Sequence, residues 1–361
     1  MTAILKLEDG TVFHGQAIGV LGTTVGELVF NTAMTGYQEV LTDPSYAKQI
    51  INFTYPSIGN TGINLDDNES IKIWAAGVVV RENSSIASNW RSVKTFSEWL
   101  SEQGIVGIAG VNTRRLTKHL RDYGNQLGCI TALASPFCKK RPSHSDCGNI
   151  FGEVLRGNDG EHAQNETKVV VIDFGVKNSI LTNLTKHNCA ITIISANTTA
   201  AEILKLEPDG IVLSNGPGDP RDLIEAIANI KKMISAEQNI PILGICLGFQ
   251  LLALALGADI FKMKFGHHGA NHPVQEISDN KVFITSQNHN YAVVEGSIPD
   301  ELIITHRSLF DQTVQGLRHK VKTICGYQWH PEAGPGPADS VNIFQQFIKT
   351  MQPKVDYAKT Q

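Results

Sequence analysis

Gly244-Ile245-Cys246-Leu247-Gly248-Phe249-Gln250 leaves a chain few ways to fold around it. Before it, Ile240-Pro241-Ile242-Leu243 is short and apolar, the pattern of a buried strand. After it, Gln250 to Leu256 is rich in strong helix formers, and Gly257 supplies a stop. Gly-x-Cys-x-Gly at a strand-to-helix junction is the cysteine form of a nucleophile elbow, with the glycines expected to permit a tight turn. A thiol there sits at a helix N-terminus, where the positive end of the dipole favours thiolate. It asks for a histidine base, and Trp329-His330-Pro331-Glu332 supplies one. If that segment is extended, its period of two puts His330 and Glu332 on one face. The carboxylate then orients the imidazole while the other ring nitrogen faces the sulfur, a Cys246-His330-Glu332 triad.

The rest of the chain fits an open sheet around this elbow. From Lys168 onward, strands (168–173, 190–194, 210–214) alternate with helices (179–187, 199–206), the rhythm of a doubly wound parallel sheet. Ligands bind such sheets at the carboxyl ends of the strands. Asn215-Gly216-Pro217-Gly218 and Cys246 both follow strands directly, so they should share one crevice. The backbone amides of Gly216 and Leu247 are then candidates for an oxyanion hole. Residues 1–134 read as a mixed α/β domain of strands and turns, with a hairpin at Asp9-Gly10, a strand over 74–80 and a helix capped by Thr113. Residues 135–167 are polar and loop-like, an interdomain connection with a short helix near 151–155, and 168–361 form the second domain.

Composition removes several function classes. The 361 residues carry a net charge of −4 and no basic run, which argues against a nucleic-acid partner. The uncharged stretch 240–258 could suggest a membrane span, but Pro241, Gly244, Gly248 and Gln250 within it favour a buried strand and helix. Six cysteines at irregular spacing and no signal-peptide core point to free thiols in a cytoplasmic protein. His267-His268 and His272 invite a metal reading, yet no carboxylate or cysteine stands at ligand spacing, and a loop lining the site is preferred with no metal. No P-loop for ATP occurs.

Residues 168–350 resemble the class I glutamine amidotransferases, through the Gly-Ile-Cys-Leu-Gly-x-Gln elbow and the His-Pro-Glu pair. The whole chain resembles the family of small, glutamine-hydrolysing subunits of carbamoyl-phosphate synthase. The narrower likeness rests on Phe30 to Glu39, Leu41 to Tyr46, Tyr55 to Asn60, Asn112-Thr113-Arg114, Asp173 to Lys177, Lys262 to His268 and Ser286 to His289. The resemblance implies hydrolysis of L-glutamine through a γ-glutamyl thioester on Cys246. Ammonia would pass to a large partner subunit, which makes carbamoyl phosphate for arginine and pyrimidine synthesis. ATP and magnesium would belong to that subunit, and this chain would bind no cofactor. By the same resemblance Ser45, Gly216, Gly218, Leu247, Gln250, Asn288, Asn290 and Tyr291 would hold glutamine, with Ser45 placing the site at an interdomain seam. Three positions depart from the family pattern: Asn290 stands for a glycine, Phe249 for a histidine and Asn112 for an aspartate.

Three other readings compete. An amidotransferase serving another synthase would carry different N-terminal strings. A silent scaffold subunit would not need an intact Cys246, His330 and Glu332. In an α/β-hydrolase the acid normally precedes the histidine by a long loop, whereas here it follows two residues later.

Overall fold

The computed structural model describes residues 1–133 and 167–351, so the helix expected near 151–155 lies outside the described residues. The first part is built on a closed barrel of seven strands. In barrel order they are Thr2–Leu7, Val12–Gly19, Val106–Ala109, Gly77–Val79, Gln49–Phe53, Gly22–Asn31 and Gln126–Leu133. The Asp9-Gly10 hairpin is present, with Gly10 at φ +90 and Lys6 opposite Val12. The strand expected over 74–80 is only Gly77–Val79; Trp74 gives its N–H to the carbonyl of Leu41, in the helix Tyr37–Thr42, and not to a strand. The helix Thr113–Tyr123 starts one residue off the expectation. Its cap is Asn112, whose Oδ1 accepts the Arg115 N–H at 3.0 Å.

Alternation along the barrel strands feeds two cores. Ile50, Val79 and Ile108 join Leu116 and Leu120 of the helix Thr113–Tyr123. Ile51, Val78 and Ala109 join Tyr37, Phe96 and Leu100 from the helices Tyr37–Thr42 and Phe96–Glu102. Each fully buried aliphatic side chain there contributes about 1.5–3 kcal/mol.

The second part holds a nine-stranded sheet. Five strands run parallel, in the order Cys189–Ser195, Thr167–Asp173, Gly210–Leu213, Ile242–Ile245 and Ile324–Tyr327. The run Val169-Val170-Val171-Ile172 is apolar throughout because helices cover both faces. Val169 and Val171 pack with Ile180, Leu184 and Phe344, while Val170 and Ile172 pack with Ile203, Ile230 and Leu251. The doubly wound sheet is therefore present, but it continues as four antiparallel strands that the sequence pattern did not reveal. Two of these, Ile260–Glu276 and Val282–Val293, form a long ribbon, and the histidine-rich segment expected as a loop is part of its first strand. The uncharged stretch 240–258 is the strand Ile242–Ile245 and the helix Leu247–Ala255. Among the described residues no helix is long and apolar enough to cross a membrane.

The ribbon docks on the barrel through main-chain bonds. Thr32 donates to the His268 carbonyl at 3.0 Å and Asn125 to the Lys264 carbonyl at 2.9 Å. At the other end of the seam Asn178 donates to the Glu69 carbonyl at 2.9 Å.

Candidate active site

Cys246 ends the strand Ile242–Ile245 with φ 52 and ψ −104, a backbone state that L-residues rarely adopt and that is retained where the surroundings enforce it. Its N–H is anchored on the Tyr327 carbonyl at 2.9 Å, and its own carbonyl receives the Gln250 N–H at 3.1 Å. The flanking glycines do a different job from the one their sequence suggests. Neither has positive φ. A Cβ on Gly244 would lie 2.8 Å from the Gly248 carbonyl oxygen, and one on Gly248 only 2.1 Å from that of Leu213. They permit close approach, while the cysteine itself takes the strained turn.

His330 and Glu332 meet across a tight turn, closed by Ala333 N–H on the His330 carbonyl, and not along an extended strand. His330 Nδ1 lies 2.6 Å from Glu332 Oε1, and both side chains are buried. The sequence pattern assigns no role to Lys177, yet its fully buried Nζ donates to Glu332 Oε1 at 3.1 Å and to the Ala333 carbonyl at 2.5 Å. The available signal was a lysine inside the family-specific Asp173-Phe174-Gly175-Val176-Lys177 string; its burial, and with it the need for a partner, shows only in the structure. Burial works to raise the Glu332 pKa, but the Lys177 ammonium and His330 outweigh it and hold it down at about 2. Burial likewise opposes charge on His330. The Glu332 carboxylate, helped by the Cys246 sulfur and opposed by Lys177, lifts the imidazole to about 10. With Nδ1 committed to an ionised carboxylate, the other nitrogen Nε2 is left buried without a hydrogen-bond partner among the described residues.

The remaining candidates converge on one pocket. Ser45, Gly216, Gly218, Cys246, Gln250, Asn288, Asn290 and Tyr291 all line it, joined by Gln49, which lies outside the family strings, and by His289, whose Ser286–His289 string gave it no role. Leu247, His330 and Glu332 are buried and are not among the lining residues. Gly216 has no room for a side chain, since a Cβ would sit 2.3 Å from the Phe174 carbonyl oxygen and 2.9 Å from Leu247 Cδ2. No backbone carbonyl among the described residues takes the N–H of Gly216 or Leu247. Cys246 Sγ donates to the Asn288 carbonyl at 3.4 Å, and Gln250 Nε2 bonds the Tyr291 carbonyl at 2.9 Å.

Asp43, buried in the barrel domain, lies in the Leu41–Tyr46 string, which assigned it no role. It accepts from Ser45 N–H at 2.9 Å, Asn215 Nδ2 at 3.2 Å and Asn288 Nδ2 at 3.0 Å. Among the described residues no group of three or more His, Cys, Asp and Glu side chains is arranged to hold a metal.

Two family models match this chain. The carbamoyl-phosphate synthase small chain domain covers residues 5–130, and the class-I glutamine amidotransferase domain covers residues 170–350. A carbamoyl phosphate synthase small chain of Thioalkalivibrio sulfidiphilus is 48% identical over 98% of this chain and 98% of its own length. One of Pasteurella multocida is 47% identical over 97% of this chain and 95% of its own. The chain belongs to the carbamoyl phosphate synthase small chain family. Among solved structures, a putative GMP synthase protein of Thermoplasma acidophilum matches 52% of this chain and 96% of its own at 25% identity, with a TM-score of 0.45.

The three positions that depart from the family pattern each have a local explanation. Asn290 does not need the open backbone angles a glycine allows, because its φ is not positive. Its side chain is engaged in the seam, with Nδ2 on Glu27 and Oδ1 facing His268. Phe249 points into the core formed with Ala253, Val293, Leu302 and Leu317. Asn112 performs the helix capping that an aspartate would also perform.

Proposed function

We propose that this small chain hydrolyses L-glutamine at Cys246 and delivers the ammonia to the synthase large subunit. The observation that carries the reading is a single buried line of contacts. It runs from Lys177 through Glu332 and His330 towards Cys246, at the floor of a pocket lined by both halves of the chain.

The Cys246 thiolate attacks the side-chain amide carbon of glutamine. The N–H groups of Leu247 and Gly216, which no backbone carbonyl among the described residues occupies, donate to the amide oxygen as negative charge develops on it. His330 is held in its charged form by Glu332, so the proton for the departing ammonia is already in place. The ring, now neutral, takes a proton from water, whose oxygen attacks the γ-glutamyl thioester. The adduct collapses, expelling the Cys246 thiolate beside the reprotonated His330 with which the cycle began, and the new carboxyl group leaves as glutamate, giving its proton to solvent. Glu332 keeps the imidazole in one tautomer throughout, and Lys177 keeps Glu332 ionised.

Ser45, Gly218, Gln250, Asn288, Asn290 and Tyr291 would position glutamine, and the amidotransferase reaction itself needs no cofactor. ATP, magnesium and carbamoyl phosphate formation for arginine and pyrimidine synthesis would belong to the large subunit, in a cytoplasmic complex. The domain limits 1–134, 135–167 and 168–361 are part of the same proposal.

The test is co-expression with the large subunit, measuring carbamoyl phosphate from glutamine and from ammonia. Cys246→Ser should lower the glutamine-driven rate by at least about 10³-fold and leave the ammonia-driven rate unchanged. Survival of glutamine-driven synthesis, or loss of both, would overturn the assignment.

A further inference from the structure

His268 lies in the strand Ile260–Glu276, just beyond a register shift that contains Gly266 at φ +66. Both of its ring nitrogens face amide oxygens: Nδ1 is 2.9 Å from Asn288 Oδ1, and Nε2 is 2.9 Å from Asn290 Oδ1. Neither amide is free to turn over. Asn288 Nδ2 donates to Asp43, which accepts from three donors in all. Asn290 Nδ2 donates to Glu27 Oε2 at 3.0 Å, and Glu27 Oε1 receives the Lys262 ammonium at 2.8 Å. Reversing either amide would press a carbonyl oxygen against a carboxylate oxygen. A neutral imidazole has one N–H to offer two acceptors, whereas an imidazolium has two.

We propose that His268 is a doubly protonated clasp that fixes the Asn288 and Asn290 side chains, and so positions the pocket for its substrate. Its functional half rests on the glutamine reading; its charge state does not.

Burial, helped by the neighbouring His267, holds the proton affinity of this ring below the ordinary histidine value, and its two side-chain bonds and Glu27 offset that only in part. Hydrogen-bond polarity argues for the second proton all the same, because deprotonation would leave a ring lone pair aimed at an amide oxygen 2.9 Å away. The packing leaves no slack. A Cβ on Gly266 would lie 2.4 Å from Asn290 Oδ1 and 2.8 Å from His268 Nε2.

The other charged or titratable groups around the ring are few. Glu27 and Asp43 stand one amide away on either side, and Lys262 pairs with Glu27. His267 bonds Asp311, and the Tyr46 ring lies 6.0 Å away. Burial drives His272 down to about 3 and His289 well below its ordinary value, so both are neutral. The site therefore has one cation at its centre and two carboxylates at its ends.

Histidine ¹⁵N NMR of the full chain tests the charge, with the signal assigned by its loss in His268→Gln. Wild type should show both His268 nitrogens protonated at pH 7.5, and Asn290→Gly, which removes one acceptor, should lower its titration midpoint by at least about one unit. A singly protonated ring at pH 7.5 in wild type would overturn the proposal.

Kinetics of the complex with the large subunit test the positioning. His268→Gln should raise KM for glutamine about tenfold with kcat within about twofold, the signature of lost ground-state positioning, while ammonia-driven synthesis stays intact. An unchanged KM in a folded variant would refute that role. If His268→Gln does not fold, Asn290→Gly replaces it, with a rise in KM expected and an unchanged KM counting against the clasp. Absence of glutamine turnover in wild type would instead defeat the glutamine reading, with the NMR result still deciding the charge.

Discussion

The two halves of the molecule contribute to the site in different ways. The second half supplies the groups with reactive chemistry, Cys246 and His330, each at the carboxyl end of a parallel strand or just beyond it. The barrel half supplies acceptors and a wall. Asp43 gathers Ser45, Asn215 and Asn288, Glu27 holds Asn290, and Glu69 receives the N–H and hydroxyl of Ser179. One half makes the reaction possible, and the other sets the shape in which it happens. Substitutions in the first should therefore strike kcat, and those in the second should strike KM and domain docking.

The largest effect is expected at Lys177. Lys177→Met removes the buried cation that Glu332 and Glu69 share, leaving Glu332 to His330 and Glu69 to the Ser179 donors alone. Breaking a buried pair from one side costs about 3–5 kcal/mol, which thermal and urea unfolding will read. The pH dependence has a definite sign. A carboxyl held near 2 stabilises the fold above its unfolded value, and that contribution is lost as pH falls through about 2. Without Lys177 the Glu332 carboxyl protonates at higher pH, so acid unfolding should begin at higher pH than in wild type. An unchanged acid limb would show that Lys177 does not hold Glu332 ionised.

Gly248→Ala sharpens the same side of the comparison. A Cβ 2.1 Å from a backbone carbonyl oxygen cannot be relieved by moving a side chain, so the helix must shift away from Leu213. Overpacking of this kind costs about 1–3 kcal/mol. The glutamine-driven kcat should fall much further than stability alone explains, because the turn that aims Cys246 moves with the helix. Parallel loss of ammonia-driven synthesis would mean global misfolding and would break the argument.

What could be read from the sequence follows the same division. The elbow, the His-Pro-Glu pair and the βα rhythm are local patterns in which spacing along the chain fixes spacing in space, and the parallel half of the sheet carried that signal in its apolar runs. The antiparallel ribbon did not, since its Lys, His and Asn residues face the seam and replace the usual alternation. Lys177, Asp43 and His268 act on residues 155, 172 and 20 positions away, respectively, and no local pattern encodes such pairings. The glycines of the elbow were legible as necessary, but the reason was not, because close approach and positive φ leave the same letter in the sequence.

Asp43→Asn tests the barrel half at intermediate size. The substitution keeps the volume but gives up a carboxylate oxygen from a group that accepts from three donors, and hydrogen bonds to a charged group are worth about 1.5–3 kcal/mol each. Stability should fall by about 2 kcal/mol, and KM for glutamine should rise while kcat changes little. A kcat loss as deep as that of Cys246→Ser would erase the distinction between the halves.

The smallest effect is expected at Asn112, which lies in a string specific to the family yet plays a structural part here. Its Oδ1 caps the helix Thr113–Tyr123 by accepting the Arg115 N–H, and it does not line the glutamine pocket. Asn112→Ala should cost about 1 kcal/mol, the ordinary value of a lost cap, and Asn112→Asp should cost nothing or stabilise slightly, since an anion suits a helix N-terminus. Neither should alter KM for glutamine. A rise in KM with Asn112→Ala would mean that the helix communicates with the pocket through the Asn125–Asn290 bond at the far side of Gly124, 3.0 Å long in this structure. The barrel would then shape the site through its helix as well as through its acceptors.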